Sequence, residues 1–257
     1  MTTSEKNVSL WRTYVCMNRV EEAQGVDSYY LMPKDGKPMA SLLPGQYVYI
    51  KGNFPSTGEF GPASFPVSSA PDAGLLRLTV KYVSGENTVD ETSTEARLHR
   101  LLKVGSEIEL SEPKGEFTFD FKEEHPVVII AAGINIAGVV PILSALSTEN
   151  LLRRVHLLYS TQNGAHYPLK TEVDSIMKGL PHGAKAVFFT SPEENEQIGR
   201  DYDAQGRISP ERIRFFCQDP DADFWLTGPE DFMAMVKASL LEIGVIAPRI
   251  HCESFTH

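Results

Sequence analysis

One C-terminal segment, residues 224–255, constrains the fold more than any other part of this sequence. It opens with an apolar run at 224–226, which predicts a short buried strand, and a turn containing Gly228 follows. Pro229 is predicted to be the first residue of a helix, where its missing N–H costs no hydrogen bond. Apolar residues recur at helical spacing up to Gly244, and a second strand is predicted at 249–255. Strand, helix and strand in this order form a βαβ unit, which is typical of an open α/β sheet.

The same alternation of strands and helices extends back to a charged, proline-ended segment at 123–126. The predicted elements of this half are strands at 127–131, 155–159 and 186–190 and a helix at 140–146. Ser209-Pro210-Glu211 predicts a further helix start, with a capping hydroxyl, a proline and an acidic residue in the expected order. Residues 124–257 are therefore predicted to form a doubly wound parallel sheet of the nucleotide-binding type.

The first half of the chain is predicted to be an all-β domain. Its predicted strands, which alternate in polarity or are rich in β-branched residues, lie at 11–20, 28–32, 46–51 and 75–80. Asp35-Gly36 is a hairpin-type turn signal, and one helix is predicted at 94–102. Residues 1–123 are therefore predicted to form a small antiparallel β-barrel, so the expected fold class is a barrel followed by an α/β domain.

Composition excludes several classes of function. The net charge of −10 over 257 residues argues against nucleic acid and anionic membranes as partners. No apolar run approaches the ~20 residues that span a bilayer, and the first residues lack the apolar core of a signal peptide, so a cytoplasmic location is expected. The three cysteines form no C-x-x-C pair, and the seven histidines show no metal-ligand spacing. We therefore expect no bound metal and no iron–sulfur cluster, and any electron acceptor would be a separate molecule.

Short motifs in a fixed order carry a resemblance to a known family. They are Pro44-Gly45-Gln46-Tyr47, Ser68-Ser69-Ala70-Pro71, Leu98-His99, Lys103-Val104-Gly105, Thr227-Gly228-Pro229 and Glu253-Ser254-Phe255. In this order and spacing the chain resembles the ferredoxin–NADP reductase superfamily, especially the reductase half of flavohaemoglobins. The resemblance covers nearly the whole chain. It implies a flavin-binding barrel at 1–123 and an NAD(P)-binding domain at 124–257.

The resemblance also implies roles for individual residues. Around the flavin and the nicotinamide it places Phe65, Val67, Ser68, Ser69, Gly133, Thr227, Gly228, Pro229 and Phe255. The implied cofactors are FAD and NAD(P)H. The segment 160–163, which follows the second strand of the α/β domain, lacks Arg and Lys, so NADH is expected rather than NADPH.

Three departures from the family pattern concern the groups that hold a diphosphate. Ala63 stands where the flavin signature has an arginine, and Pro66 stands where it has a serine. An ungapped alignment places Glu95 at the serine position of the second flavin motif, where a carboxylate would repel a diphosphate. In the loop that opens the α/β domain, seven residues separate Gly133 from Pro141, where the family has four.

Two functions are left open by these residues. The first is an oxidoreductase that moves a hydride from a nicotinamide to a flavin and on to a separate acceptor or small molecule. The second is a flavin-independent enzyme that isomerises, cyclises or cleaves an apolar small molecule between the domains. For the second, strand alternation places His251 and Glu253 on one face, where they form a candidate acid–base pair; a half-exposed strand end is the alternative. The oligomeric state is not indicated.

Overall fold

The computed structural model describes residues 11–54, 58–83, 89–119, 124–149, 152–219 and 221–253, with side chains at 53–60 left out. These residues form two six-stranded sheets, one on each side of residue 124. The first sheet is antiparallel throughout and the second is parallel throughout. The predicted fold class is thus confirmed. The predicted boundary between residues 123 and 124 adjoins the undescribed residues 120–123 and stays a prediction.

The antiparallel sheet closes on itself. Its strands are β1 (Trp11–Ala23), β2 (Val26–Pro33), β3 (Tyr47–Phe54), β4 (Gly58–Pro66), β5 (Leu76–Lys81) and β6 (Glu107–Ser111). They pair in the order β4-β3-β6-β1-β2-β5. Just beyond β4, Val67 forms an antiparallel bridge to Leu78 of β5, and the Ser68 amide donates to the Arg77 carbonyl at 2.8 Å. The two edges of the sheet therefore meet, which makes it a barrel.

Inward-facing side chains and one helix fill and cover this barrel. Tyr29, Leu31 and Leu78 are fully buried within it, as expected for strands whose alternate residues face a closed interior. The helix α1 (Thr94–Leu101) adds Leu98 to the same core. Ser93 caps α1, because its Oγ accepts from the Ala96 amide at 3.1 Å.

The parallel sheet is buried on both faces. Its strands are β7 (Val127–Ala132), β8 (Val155–Thr161), β9 (Gly183–Phe189), β10 (Ala204–Gln205), β11 (Asp223–Thr227) and β12 (Ile250–Glu253), in the order β10-β9-β8-β7-β11-β12. Helices α2 (Ile136–Glu149) and α3 (Lys170–Gly179) pack on one face, and α4 (Pro210–Phe216) and α5 (Glu230–Glu242) pack on the other. Ile129 of β7 contributes to the first core and Ile130 to the second, which explains the uninterrupted apolar run of that strand.

Several predicted boundaries were wrong in detail. Helix α2 begins at Ile136 rather than residue 140, directly after a 3-10 turn at Gly133–Asn135, and it carries Pro141 inside. Pro229 lies one position before α5 with an extended ψ of 149°, so it is the cap and not the first helical residue. Strand β12 begins at Ile250, because Ala247–Arg249 form another 3-10 turn. Helix α3 was not predicted.

The barrel and the α/β domain are joined by polar contacts as well as by the chain. Arg77 of β5 donates to Glu172 of α3 at 2.6 Å, and the arginine is almost entirely buried. The Gln24 amide, in the turn between β1 and β2, donates to the Ala165 carbonyl at 2.8 Å. These contacts bring one side of the barrel against the ends of β7 and β8, where the candidate site lies.

Candidate active site

A cavity of about 690 Å³ opens where the carboxyl ends of the parallel strands face the barrel. Strand order reverses between β7 and β11, since the chain runs outward from β7 through β8, β9 and β10 and then returns to β11. Ligands of open α/β sheets bind at such a switch point. The cavity is lined there by Gly133 and Ile134 after β7 and by Pro229 after β11. From the barrel it is lined by Gln24, Val26 and Lys81.

The loop after β7 leaves the cavity open. Gly133 has a φ of +58°, which favours glycine, and a Cβ built there would meet no atom within 4 Å. Its carbonyl accepts a hydrogen bond from the buried Tyr159 hydroxyl at 2.9 Å. The hydrogen bond to Tyr159 therefore fixes the backbone of Gly133, and the side on which a Cβ would stand is open, so a ligand can approach the backbone there.

The turn after β11 needs its glycine for a packing reason. A Cβ on Gly228 would stand 2.6 Å from the Phe232 ring, so a side chain would displace that ring. Thr227, predicted to border the nicotinamide, is fully buried and lies beneath the turn, with its hydroxyl 3.4 Å from Asn135 Oδ1. Of the predicted Thr227-Gly228-Pro229 group, Pro229 is the residue that lines the cavity.

A second cavity of about 290 Å³ lies against the barrel. Phe65 and Pro66 of β4 form one wall, and Ile134 and Asn135 of the loop after β7 form another. Lys81 and Ile134 line both cavities, so the two spaces adjoin. Phe65 therefore lines this cavity at the edge of the barrel core, and its predicted role beside a flavin stays a prediction.

The other predicted flavin residues lie deeper. Val67 is part of the barrel core, and the Ser68 hydroxyl is 2.7 Å from Thr79 Oγ1 inside it. The hydroxyl of Ser69 is buried and has no hydrogen-bond partner among the described residues. Phe255 lies outside the residues that the structure describes. The roles implied for these four residues stay predictions.

Negative charge dominates the polar side of the barrel cavity. Asp90 and Glu95 line it, whereas Lys81 is the one cation among its described lining residues. Asp90 accepts from the Thr92 hydroxyl at 2.7 Å, and the hydrogen bonds from Thr92 lower the pKa of this carboxyl. Ala63 is not among these lining residues and packs against the barrel core. This lining suits hydroxyl groups better than phosphates.

Strand β12 places the two predicted acid–base residues beside different neighbours. The His251 ring stacks on Trp225, with ring centroids 4.3 Å apart, and it lines a cavity with Arg153 and Asp223 near the amino end of β11. Burial lowers the pKa of His251, partly offset by the charge of Asp223. Glu253 pairs in register with Thr227, and His251 with Trp225, so the two residues share one face of the strand. The proposed pairing in catalysis stays a prediction.

None of the titratable residues in the described lining of the main cavity was predicted from the sequence: they are Lys81, His166, Arg207 and Asp231. His166 lines it from the segment after β8, and its Nδ1 is 2.7 Å from Asn163 Oδ1. Burial, and then the charge of Lys81, lower the pKa of His166. Arg207 is exposed and stands at the rim of this cavity. Cationic side chains therefore line the cavity from the barrel, with Lys81, and from the segment before α4, with Arg207, although the segment 160–163 has no Lys or Arg.

Within the described residues there is no group of three or more His, Cys, Asp or Glu that could hold a metal ion. In the same part of the chain, none of the helices combines the length and the apolar character that a transmembrane helix requires.

Known proteins with similar sequences are flavohemoproteins. The chain is 31% identical over 246 residues to the flavohemoprotein of Bordetella pertussis and 31% identical over 254 residues to that of Chromobacterium violaceum. These alignments cover 95% and 99% of this chain but 60% and 63% of the relatives. The chain thus spans less than two thirds of their length. No family model matches.

Solved structures agree with these relatives. The flavohem-like FAD/NAD-binding domain of nitric oxide dioxygenase from Vibrio cholerae superposes with a TM-score of 0.82 at 28% identity, and the match covers 95% of this chain and 98% of that one. Flavohemoglobin from Malassezia yamatoensis, with bound FAD and heme, gives a TM-score of 0.80 at 22% identity, covering 97% of this chain and 61% of that one. The second likeness concerns the fold alone.

Proposed function

The chain belongs to the ferredoxin–NADP reductase superfamily, as a homologue of the reductase part of flavohemoproteins, and on this premise we propose that it is an NADH-dependent flavin oxidoreductase. It would move a hydride from the nicotinamide to a flavin and on to a separate acceptor. One observation carries the proposal: the cavity at the switch point of the α/β sheet adjoins the cavity beside Phe65, and Lys81 and Ile134 line both. Donor and acceptor rings in these two spaces would be neighbours.

The main cavity has features that suit an anionic dinucleotide. Gly133 presents open backbone at the end of β7, where a pyrophosphate can approach closely. The described lining has two cations, Lys81 and Arg207, and one carboxylate, Asp231, in a protein whose net charge is −10, so the cavity favours an anionic ligand locally. The segment 160–163 after β8 contributes no Lys or Arg for a 2′-phosphate, so we propose NADH rather than NADPH as the donor.

The barrel cavity fits one part of FAD and not another. Phe65 and Pro66 offer an apolar wall for the isoalloxazine, the ring system that accepts hydride in this superfamily. The diphosphate does not fit, because the carboxylates of Asp90 and Glu95 line this space and Lys81 is the one cation among its described lining residues. We therefore assign the chain a flavin ring site without assigning it the diphosphate site of its relatives.

The remaining residues of the site keep water away from the junction of the two domains and limit the charge in the cavity. Ile134 and Val26 are apolar walls at the junction of the barrel and the α/β domain. His166 is mainly uncharged at neutral pH, since its pKa is lowered, so its ring adds a polar group to the cavity without a second full charge. Exclusion of water at this junction would protect the hydride transfer from side reactions.

The final acceptor is proposed to be a separate molecule. Flavohemoglobin from Malassezia yamatoensis contains heme in its own longer chain, and the present chain spans 60% of the flavohemoprotein of Bordetella pertussis. We propose a heme group or a small molecule as the recipient of the electrons. A cytoplasmic location remains the expectation. The comparisons give no support to the non-redox alternative.

The test is NADH-dependent reduction of flavin by the purified protein. NADH or NADPH is mixed with riboflavin, FMN or FAD without oxygen, and loss of flavin absorbance is followed. We expect reduction with NADH, and we expect Ile134→Trp, which fills the boundary of the two cavities, to slow it by about tenfold or more. Ile198→Trp is the control, because Ile198 is exposed and lines neither cavity. Failure to reduce any of the three flavins would overturn the proposal.

A further inference from the structure

The polar end of the barrel cavity is built from the segment that leads into α1. Asp90, Ser93 and Glu95 line it, and all three precede or begin the helix. A free helix N-terminus attracts phosphate through its unpaired amides. Here the Ser93 side chain already accepts from the Ala96 amide at 3.1 Å, and Glu95 adds a negative charge in the first turn. The position is therefore poorly suited to a phosphate.

Asp90 strengthens this effect. Its carboxylate accepts hydrogen bonds from the Thr92 amide at 2.9 Å and from the Thr92 hydroxyl at 2.7 Å, which hold it in place and keep it ionised. Lys81 is the one cation among the described lining residues, so the lining carries two negative charges and one positive. An anionic tail would meet a net repulsion, whereas hydroxyl groups can donate to both carboxylates.

The size of the cavity points in the same direction. At about 290 Å³ it is less than half as large as the cavity of about 690 Å³ at the α/β domain. A flat ring with a short tail suits the smaller space, and a second nucleotide does not. Phe65 and Pro66 remain as a wall for the ring.

We propose that the barrel cavity binds a flavin whose tail carries hydroxyls and no phosphate, of the riboflavin class, and that it discriminates against FMN and FAD. This inference rests on the proposed function and specifies which class of flavin the protein would reduce. Such a flavin is an exchangeable substrate: NADH gives its hydride and the solvent a proton, so NADH, H⁺ and flavin become NAD⁺ and dihydroflavin. The dihydroflavin then leaves and carries two electrons to the final acceptor.

Binding is measured first, without NADH, by quenching of flavin fluorescence as the protein is titrated. We expect riboflavin to bind at least about tenfold more tightly than FAD, with FMN between them, the factor expected for one unfavourable charge contact. The preference should shrink as salt is added, because salt screens the repulsion. Equal or tighter binding of FAD by the unchanged protein would overturn the inference, as would failure of riboflavin to bind.

Two variants test the named residues. Glu95→Ser removes one of the two carboxylates that line the cavity. We expect it to raise the affinity for FAD about tenfold or more and to lower the affinity for riboflavin, because one acceptor for its hydroxyl groups is lost. Glu91→Gln is the matched control, because Glu91 is an exposed carboxylate beside α1 that pairs with Arg100 and does not line the cavity. Circular dichroism and melting temperature verify that each variant is folded. An unchanged affinity for FAD in the folded Glu95→Ser variant would contradict the role of Glu95.

The same samples separate this inference from the proposed function. If NADH reduces FAD and FAD binds most tightly, the function stands and the inference fails. If riboflavin binds as expected but NADH reduces none of the flavins, the ligand class stands and the proposed reaction fails.

Discussion

At the scale of single residues, the side chain of Lys81 links the two cavities. It ends β5, lines both spaces and lies close enough to His166 to lower the pKa of that ring. Among the described lining residues of the barrel cavity it is the one cation, and in the larger cavity it is joined by Arg207. The charge of a bound dinucleotide would therefore be balanced largely from this position.

Replacing Lys81 by glutamine should weaken binding of NADH. We expect the KM for NADH to rise about tenfold, with a smaller change in kcat, since the lost attraction acts on binding. The KM of the unchanged protein should also rise with salt more steeply than that of the variant. Steady-state kinetics at several salt concentrations check this. Lys34→Gln is the control, because Lys34 pairs with Glu107 on the barrel surface, and an equal effect of both substitutions would contradict the prediction.

The Lys81→Gln variant should also raise the pKa of His166. Burial is the larger cause of the lowered pKa and remains in the variant, whereas the repulsion from Lys81 disappears. The pKa should therefore move upward but stay below the ordinary value of 6.5. Titration of the histidine by nuclear magnetic resonance measures it. An unchanged or lower pKa would show that Lys81 does not act on this ring.

Sequence comparison located part of the site at this scale. Counting without gaps from Leu98-His99 placed Glu95 at the flavin side, and Glu95 does line the barrel cavity. Phe65, Gly133 and Pro229 also lie at the cavities. Lys81 and His166 were not recognised, because their roles depend on how the barrel meets the α/β domain. No local pattern records that contact.

At the scale of secondary structure elements, α1 depends on its cap. The helix has eight residues, which is too short to be stable without tertiary contacts, and Ser93 satisfies one of its free amides. Leu98 anchors it in the barrel core. The position of Glu95 therefore follows from a helix that is fixed at its first turn.

Substituting Ser93 by alanine should lower the free energy of unfolding by about 1 kcal/mol, the usual cost of losing a capping hydroxyl. It should also weaken riboflavin binding, because Glu95 would be held less firmly. Urea unfolding and the fluorescence titration measure the two effects. Thr94→Ala, one residue later, serves as the control and should change stability less; comparable losses from the two substitutions would argue against the cap.

The elements themselves were predicted well where the pattern is long and periodic. Strand β7 and helix α5 follow apolar runs that tertiary packing reinforces. Helix α2 began four residues earlier than predicted, because the apolar residues from Ile136 onward are all buried and the helix tolerates Pro141 inside. Helix α3 was missed although Val173, Ile176 and Met177 recur at helical spacing, because the helix has only ten residues and its other positions are mostly polar.

At the scale of the whole molecule, partly buried histidines make stability depend on pH. Burial lowers the pKa of His156, His166 and His251 below the ordinary value of 6.5. Below that value the unfolded chain binds protons that the folded chain resists, so the free energy of unfolding falls as the pH decreases. The stability is complete above about pH 6.5 and is lost progressively towards the lower pKa values of the folded state.

We therefore expect urea unfolding to give a smaller free energy at about pH 5.5 than at about pH 7.5. His156→Gln should reduce this difference, because one of the three groups is removed. His182→Gln is the control, because the side chain of His182 is exposed. A free energy that does not change over this range, or that rises as pH falls, would contradict the prediction.

The closure of the barrel at Val67 and Leu78 has a further consequence for behaviour in concentrated solution. A free sheet edge can recruit a strand from another molecule and start aggregation, and a closed barrel has no such edge. In the part of the chain that the structure describes, the parallel sheet ends in β10, with two residues, and β12, with four. Edges this short offer few backbone groups for pairing. The closed barrel and the short edge strands therefore limit intermolecular β-pairing, in addition to the repulsion between charged surfaces.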